Sequence, residues 1–260
     1  MTKSFTPIVS QVTLNPRQPL DAQTFPGNLG FCRDLQLEFN TAVTFFVGEN
    51  GCGKSTLLEA IAVLADLPIS GGGLEETGSN HAFPEESLLA DGLRLGFQRK
   101  PKDRYFFRAD TQAHFASLLD QRRIDPDFSY GKDMPADPYL AYGGKSLHHR
   151  SHGEAFLSVI ENRFRQGLML MDEPESALSP KRQLALLSHM HSMVEAGNTQ
   201  FIIATHSPIL LTFPGATVIS FDHGELKPIH YADTEHFLIA QMMLNNPERY
   251  WHHFTRPSDS

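Results

Sequence analysis

Cysteine is scarce in this chain, with only Cys32 and Cys52 among 260 residues. Their spacing matches neither a disulfide framework nor a zinc motif, so both are expected as reduced thiols. Long apolar runs are missing too. Nothing approaches the roughly 18 consecutive apolar residues of a membrane-spanning helix, and the opening Met1-Thr2-Lys3-Ser4-Phe5 has no signal-peptide core. Positive charge is in deficit: 22 Lys and Arg stand against 30 Asp and Glu, a formal net charge of −8. Tight binding to nucleic acid through bulk charge alone is therefore not expected. These absences predict a cytoplasmic protein without direct membrane insertion. What is present is ordinary globular composition, 40% hydrophobic and 20% charged, with enough apolar material for a full core.

From Leu35 onward the hydrophobic pattern sharpens. Leu35, Leu37 and Phe39 alternate with Gln36 and Glu38, the period of a half-buried strand. Ala42–Val47 is a β-branched and aromatic run with the character of a fully buried strand, and a helical segment from Ser55 to about Asp66 follows. Residues 70–90 are loop-like, with Gly71-Gly72-Gly73 and Pro84. Leu93–Phe97 and Tyr105–Arg108 have strand character and Asp110–Arg122 helical character, while 124–147 is irregular. Ser151–Arg165 then predicts a helix, with Phe156, Ile160 and Phe164 on one face and Gly167 as its stop. Strands at Leu168–Met171, Phe201–Ala204 and Thr217–Phe221 enclose a helix over Pro180–Glu195, with Ser179 as candidate N-cap. Strands alternating with helices predict an α/β fold.

Gly48-Glu49-Asn50-Gly51-Cys52-Gly53-Lys54-Ser55 fits G-x-x-x-x-G-K-[ST] at every fixed position, between a buried strand and a helix, where the motif must lie. Its glycines let backbone N–H groups converge on phosphate oxygens, and the following helix N-terminus adds positive potential. Lys54 is expected to reach the β- and γ-phosphates, Ser55 to ligate Mg²⁺ and Thr56 to add a phosphate contact. Cys52 occupies a variable position of the loop; a small inert residue is the simple account, and oxidation that blocks nucleotide is the alternative.

The apolar run Leu168–Met171 leads straight into Asp172-Glu173, which places two carboxylates at the carboxyl edge of a sheet, where such folds bind ligands. Asp172 is suited to hold Mg²⁺, and Glu173 to polarise an attacking water. His206 follows another buried strand and is expected at the same edge. Ser151-His152-Gly153-Glu154 has the form of a capping box, Ser-x-x-Glu, opening a helix. Such an N-terminus can also face a phosphate. Arg94, Arg99, Lys100, Lys102 and Arg104 form a locally basic stretch, read as a solvated turn or as a contact for nucleic acid.

In their order, Gly48–Thr56, Ser151–Glu154, Asp172-Glu173 and Ala204-Thr205-His206-Ser207-Pro208 resemble the ABC/SMC-type P-loop ATPases. More closely, the chain resembles the small stand-alone ATPases of that superfamily, including Phe45-Phe46-Val47, Ser176–Pro180 and Asp233-Thr234-Glu235-His236. The resemblance implies one domain over 1–260: a mainly parallel sheet flanked by helices, an antiparallel N-terminal sheet, and a helical lobe at about 109–165 inserted between the phosphate loop and the acidic strand.

The resemblance also implies ATP and Mg²⁺ as ligands, hydrolysis, and an ATP-dependent homodimer with nucleic acid or an effector subunit as further partner. Gly48, Asn50, Gly51, Cys52, Gly53, Lys54, Ser55 and Thr56 then bind nucleotide. Ser151, Gly153 and Glu154 belong to the signature motif that completes the opposite protomer's site. Lys54, Glu173 and His206 serve catalysis, and Ser55 and Asp172 the metal. The superfamily's metal-contacting glutamine corresponds to Gln98, with Arg108 fitting comparably. Ser179 departs from the aspartate usual at its position. Phe25 and Phe31 are the candidates for stacking on adenine. A transporter subunit and a nucleotide-gated scaffold are the rival readings.

Overall fold

A computed structural model describes residues 5–73, 87–101, 103–111, 152–162 and 166–248, with isolated positions between 117 and 144 and at 251. The strands are β1 (Val9–Leu14), β2 (Gln36–Glu38), β3 (Val43–Val47), β4 (Gly72–Gly73), β5 (Leu93–Phe97), β6 (Arg104–Arg108), β7 (Gly167–Asp172), β8 (Thr199–Ala204), β9 (Thr217–Ser220) and β10 (Lys227–Ile229). The helices are α1 (Lys54–Leu64), α2 (Leu88–Asp91), α3 (His152–Asn162), α4 (Pro180–Ala196) and α5 (Glu235–Asn245). None of the described helices is long and apolar enough to cross a membrane.

Seven strands form one sheet in the order β10-β9-β3-β8-β7-β6-β4. Its five central strands, β9 to β6, run parallel, and β10 and β4 join antiparallel at the two edges. β3, β7 and β8 are buried along their whole length, as expected of parallel strands covered on both faces. Alternate residues feed two cores. Phe45, Tyr105, Phe107, Met169, Met171 and Phe201 pack with α3 and α4. Phe46, Phe106, Leu168, Leu170 and Ile202 pack with α1 and the second sheet.

That second sheet is antiparallel, in the order β2-β1-β5. Gln200 ties it to the first. Its Oε1 accepts the backbone N–H groups of Ile8 at 2.9 Å and Val9 at 2.8 Å, and its Nε2 donates to the Val9 carbonyl at 3.0 Å. Gly167 opens β7 at φ 119°, and a Cβ there would stand 1.9 Å from the Asp103 carbonyl oxygen. The expected α/β architecture is therefore observed, with a mostly parallel sheet, flanking helices and an antiparallel companion sheet. Most of the expected lobe at 109–165 lies outside the described residues, which there retain α3 and isolated positions.

Two local expectations change. Ser179 precedes α4, yet its side chain makes no capping bond; its carbonyl instead accepts Arg182 N–H at 2.8 Å. Three members of the basic stretch are engaged: Arg94 donates to Asn15, Arg99 to Asn198, and buried Arg104 to Asp66 and the Ala65 carbonyl.

Candidate nucleotide site

Parallel register brings the ends of β3, β6, β7 and β8 into line, with Phe46 and Asp172 both opposite Ala204 and Arg108 opposite Asp172. The segments leaving these strands therefore meet at one edge, the expected place for ligands in such a sheet. Gly48–Gly53 wraps from β3 into α1. Gly53 has φ 98°, and a Cβ on it would lie 2.6 Å from the Phe31 ring; Gly51 has φ 81° and open space where its Cβ would be. Only glycine adopts such conformations freely and lets a ligand approach the backbone this closely. Asp222 Oδ1 accepts the Glu49 N–H at 3.3 Å, pinning the loop's start.

Lys54 is buried, and its Nζ folds over the loop, donating to the Gly48 and Glu49 carbonyls at 2.7 and 2.8 Å. Ser55 Oγ donates to Asp172 Oδ1 at 3.0 Å. Asp172 is only 6% exposed. Burial pushes its carboxyl up to about 6, although the Ser55 hydrogen bond and the Arg108 charge oppose the rise. Two hard oxygen donors side by side, one an under-compensated buried carboxylate, form a donor set that fits Mg²⁺.

Glu173 follows with φ 47° and ψ 53°, a left-handed conformation that costs a non-glycine residue about 1–2 kcal/mol. Its N–H donates to the Ala204 carbonyl at 2.9 Å. Its Oε1 lies 3.6 Å from His206 Nε2. Glu173, His206, Glu49, Asn50 and His236 line an open cleft of about 510 Å³.

Residues without a sequence signal set the stage. Glu175 accepts the His206 N–H at 2.6 Å and the Thr205 hydroxyl at 2.7 Å. Gln183 accepts the Ser207 hydroxyl at 2.5 Å, tying α4 to the same turn. Glutamate and glutamine are common on protein surfaces, so only tertiary contact distinguishes these two.

The structure thus brings together the loop residues, Lys54, Ser55, Asp172, Glu173 and His206. It does not bring Gln98 there. β5 pairs antiparallel with β1 in the second sheet, and its exit runs the opposite way: Gln98 N–H donates to the Ile8 carbonyl, and Arg99 reaches Asn198 beside the starts of β7 and β8. Gln98 stands at the amino edge, far from any metal held by Ser55 and Asp172. Arg108 is at the right edge, but its guanidinium is taken by Glu59 at 2.5 Å and Asp110 at 2.8 Å. Phe31 is buried edge-on against Phe221, a core role rather than an adenine platform, whereas Phe25 is exposed. Ser151 lies outside the described residues. Gly153 is on the first turn of α3, and Glu154 pairs with Arg182 of α4 at 3.1 Å.

Two family models match the chain, one described as "AAA domain" over residues 27–108 and one as "AAA domain, putative AbiEii toxin, Type IV TA system" over 149–212. The first spans the phosphate loop and the second Asp172 and His206. Among curated relatives, a "Putative ABC transporter ATP-binding protein" of Methanothermobacter thermautotrophicus is 27% identical over 71% of this chain and 66% of its own length. The DNA replication and repair protein RecF of Leptospira interrogans is 26% identical over 64% of this chain and 43% of its own. The chain thus spans just under two thirds of the first relative and less than half of the second. A solved ATP-binding cassette of an ABC transporter, in its ADP conformation, superposes over 96% of this chain and all of its own with a TM-score of 0.50 at 17% identity, a likeness of fold. Motifs, sheet topology and these likenesses agree in supporting a small P-loop ATPase of the ABC/SMC type.

Proposed function

We propose that the chain is an Mg²⁺-dependent ATPase that acts as a nucleotide-driven clamp, two copies closing around two shared ATP molecules. The observation that carries the reading is the convergence of Lys54, Ser55, Asp172, Glu173 and His206 on one sheet edge beside the glycine loop. The backbone N–H groups of Gly51 to Thr56 hold the phosphates, and Lys54 exchanges its two carbonyl partners for β- and γ-phosphate oxygens. Ser55 and Asp172 hold the metal. When bound, Mg²⁺ neutralises charge on the phosphate oxygens.

Glu173 Oε1 accepts a proton from water as the water oxygen bonds to the γ-phosphorus and the bond to the bridging oxygen breaks, giving ADP and phosphate. His206 donates to the γ-phosphate from Nε2. Glu175, half-buried beneath, keeps the Thr205–His206 turn fixed so that little reorganisation is needed at the moment of reaction. Ser151, Gly153 and Glu154 complete the site of the other copy. The whole of 1–260 acts as one ATPase domain, with 109–165 as its inserted lobe.

The clamp's target is reached through a partner subunit, in nucleic-acid maintenance or defence. Arg104 is buried on Asp66 and the Ala65 carbonyl, and Arg94 and Arg99 are each bonded to an asparagine; with the net charge of −8, this favours a partner over this chain as the source of the phosphate-backbone contact.

Light scattering of Glu173→Gln with and without Mg-ATP tests the reading, with Lys54→Ala as control. Mass is expected to double only for Glu173→Gln with ATP, because the nucleotide is bound and not consumed. Wild-type turnover per protomer should rise with protein concentration. A persistent single-protomer mass in Glu173→Gln, together with concentration-independent hydrolysis by the wild type, overturns the two-copy site.

A further inference from the structure

His236 lies on the first turn of α5, and that turn is anchored. Thr234 is buried, its hydroxyl donates to the Tyr231 carbonyl at 2.7 Å, and it accepts the Phe237 N–H as N-cap. From there the His236 ring reaches His206, with Nε2 of His236 2.7 Å from Nδ1 of His206 and ring centroids 4.7 Å apart. One of these two nitrogens must donate and the other accept. His206 Nε2 decides which. It is buried, has no hydrogen-bond partner among the described residues, and has a Glu173 carboxylate oxygen 3.6 Å away.

A proton on His206 Nδ1 leaves the Nε2 lone pair facing a carboxylate and, with ATP bound, phosphate oxygens, all of them acceptors. A proton on Nε2 faces them with a donor and leaves Nδ1 free to accept. The second arrangement is electrostatically favoured, and it requires His236 to donate. Burial and the Lys54 charge hold both imidazoles below their ordinary value, consistent with a neutral pair.

We propose that His236 is a positioning residue for His206: its Nε2–H donates to His206 Nδ1 and so holds His206 in the tautomer whose Nε2–H points at Glu173 and the γ-phosphate. The tautomer of one ring is set by the bond its other nitrogen makes. The consequence for turnover rests on the ATPase reading; the tautomer itself does not.

Nitrogen-15 spectra of histidine-labelled, nucleotide-free protein read the tautomer directly, with the His206 signals assigned by their loss in His206→Ala. The wild type is expected to carry the proton on His206 Nε2. His236→Gln, which offers a side-chain N–H near the same point, should preserve that state, and His236→Leu should release His206 to a mixture. In parallel, kcat should fall about 10- to 100-fold in His236→Leu, the usual range for a lost orienting partner, and recover most of the way in His236→Gln. An Nδ1–H tautomer in the wild type, or the same Nε2–H tautomer in all three proteins, overturns the proposal. The wild-type spectrum decides even if His236→Leu folds poorly. If the wild type hydrolyses no ATP, the ATPase reading fails while the spectra still judge His236. If hydrolysis depends on Lys54 and Glu173 but the His206 tautomer ignores His236, only the positioning role fails.

Discussion

Replacing Asp172 with asparagine should stabilise the nucleotide-free protein while removing its metal dependence. The carboxyl is pushed from 3.8 to about 6, chiefly by burial. A folded-state value above the unfolded one means that the folded chain binds this proton more tightly. The associated stability is fully present below about pH 4 and is lost as pH rises through 6. The shift of about 2 units corresponds to a ceiling of about 3 kcal/mol at neutral pH, at about 1.4 kcal/mol per unit. The asparagine side chain keeps an oxygen for the Ser55 hydroxyl but carries no charge. Asp172→Asn is therefore expected to gain about 1–3 kcal/mol at pH 7.5, or several degrees in Tm for a chain of this length. The gain should vanish near pH 4. Urea denaturation of chelator-treated protein at both pH values measures it, with added Mg²⁺ expected to raise the stability of the wild type and not of the variant. A variant equal to or weaker than the wild type at pH 7.5, or a gain unchanged at pH 4, would refute the claim that the charge of Asp172 is poorly compensated.

Gln200→Leu should detach the second sheet from the first. It removes three hydrogen bonds and leaves the Ile8 and Val9 N–H groups buried without partners, a loss of about 2–4 kcal/mol in denaturation with faster hydrogen exchange in β1 before β3 or β8. Unchanged exchange in β1 would count against the clamp role of Gln200. Gly167→Ala combines φ 119° with a Cβ 1.9 Å from a backbone oxygen. We expect a loss above about 3 kcal/mol and low soluble yield, measured by urea denaturation, and a near-neutral effect would contradict the tight approach to Asp103.

The sequence by itself determined the local pieces of this protein. The phosphate loop is legible because its glycines and Lys54 act through backbone conformation and short reach, all within one strand–turn–helix segment. Asp172, Glu173 and His206 are legible because an apolar strand that ends in polar residues must place them at a sheet edge. Phe45, Met169 and Phe201 announce buried strands for the same local reason. Tertiary structure alone decided which edge, and which neighbours, each piece would meet. Gln98 follows a strand and Arg108 ends one, and the two cannot be told apart locally; β5 joins the antiparallel sheet and carries Gln98 away, while parallel pairing of β6 with β7 sets Arg108 beside Asp172. Gln200 reaches across 191 residues to Val9, Glu175 locks the His206 turn, and His236 meets His206 from 30 residues downstream. Hydrogen bonds of that span depend on strand order and register, which are set by how whole faces bury against one another and leave no mark on the residues beside them.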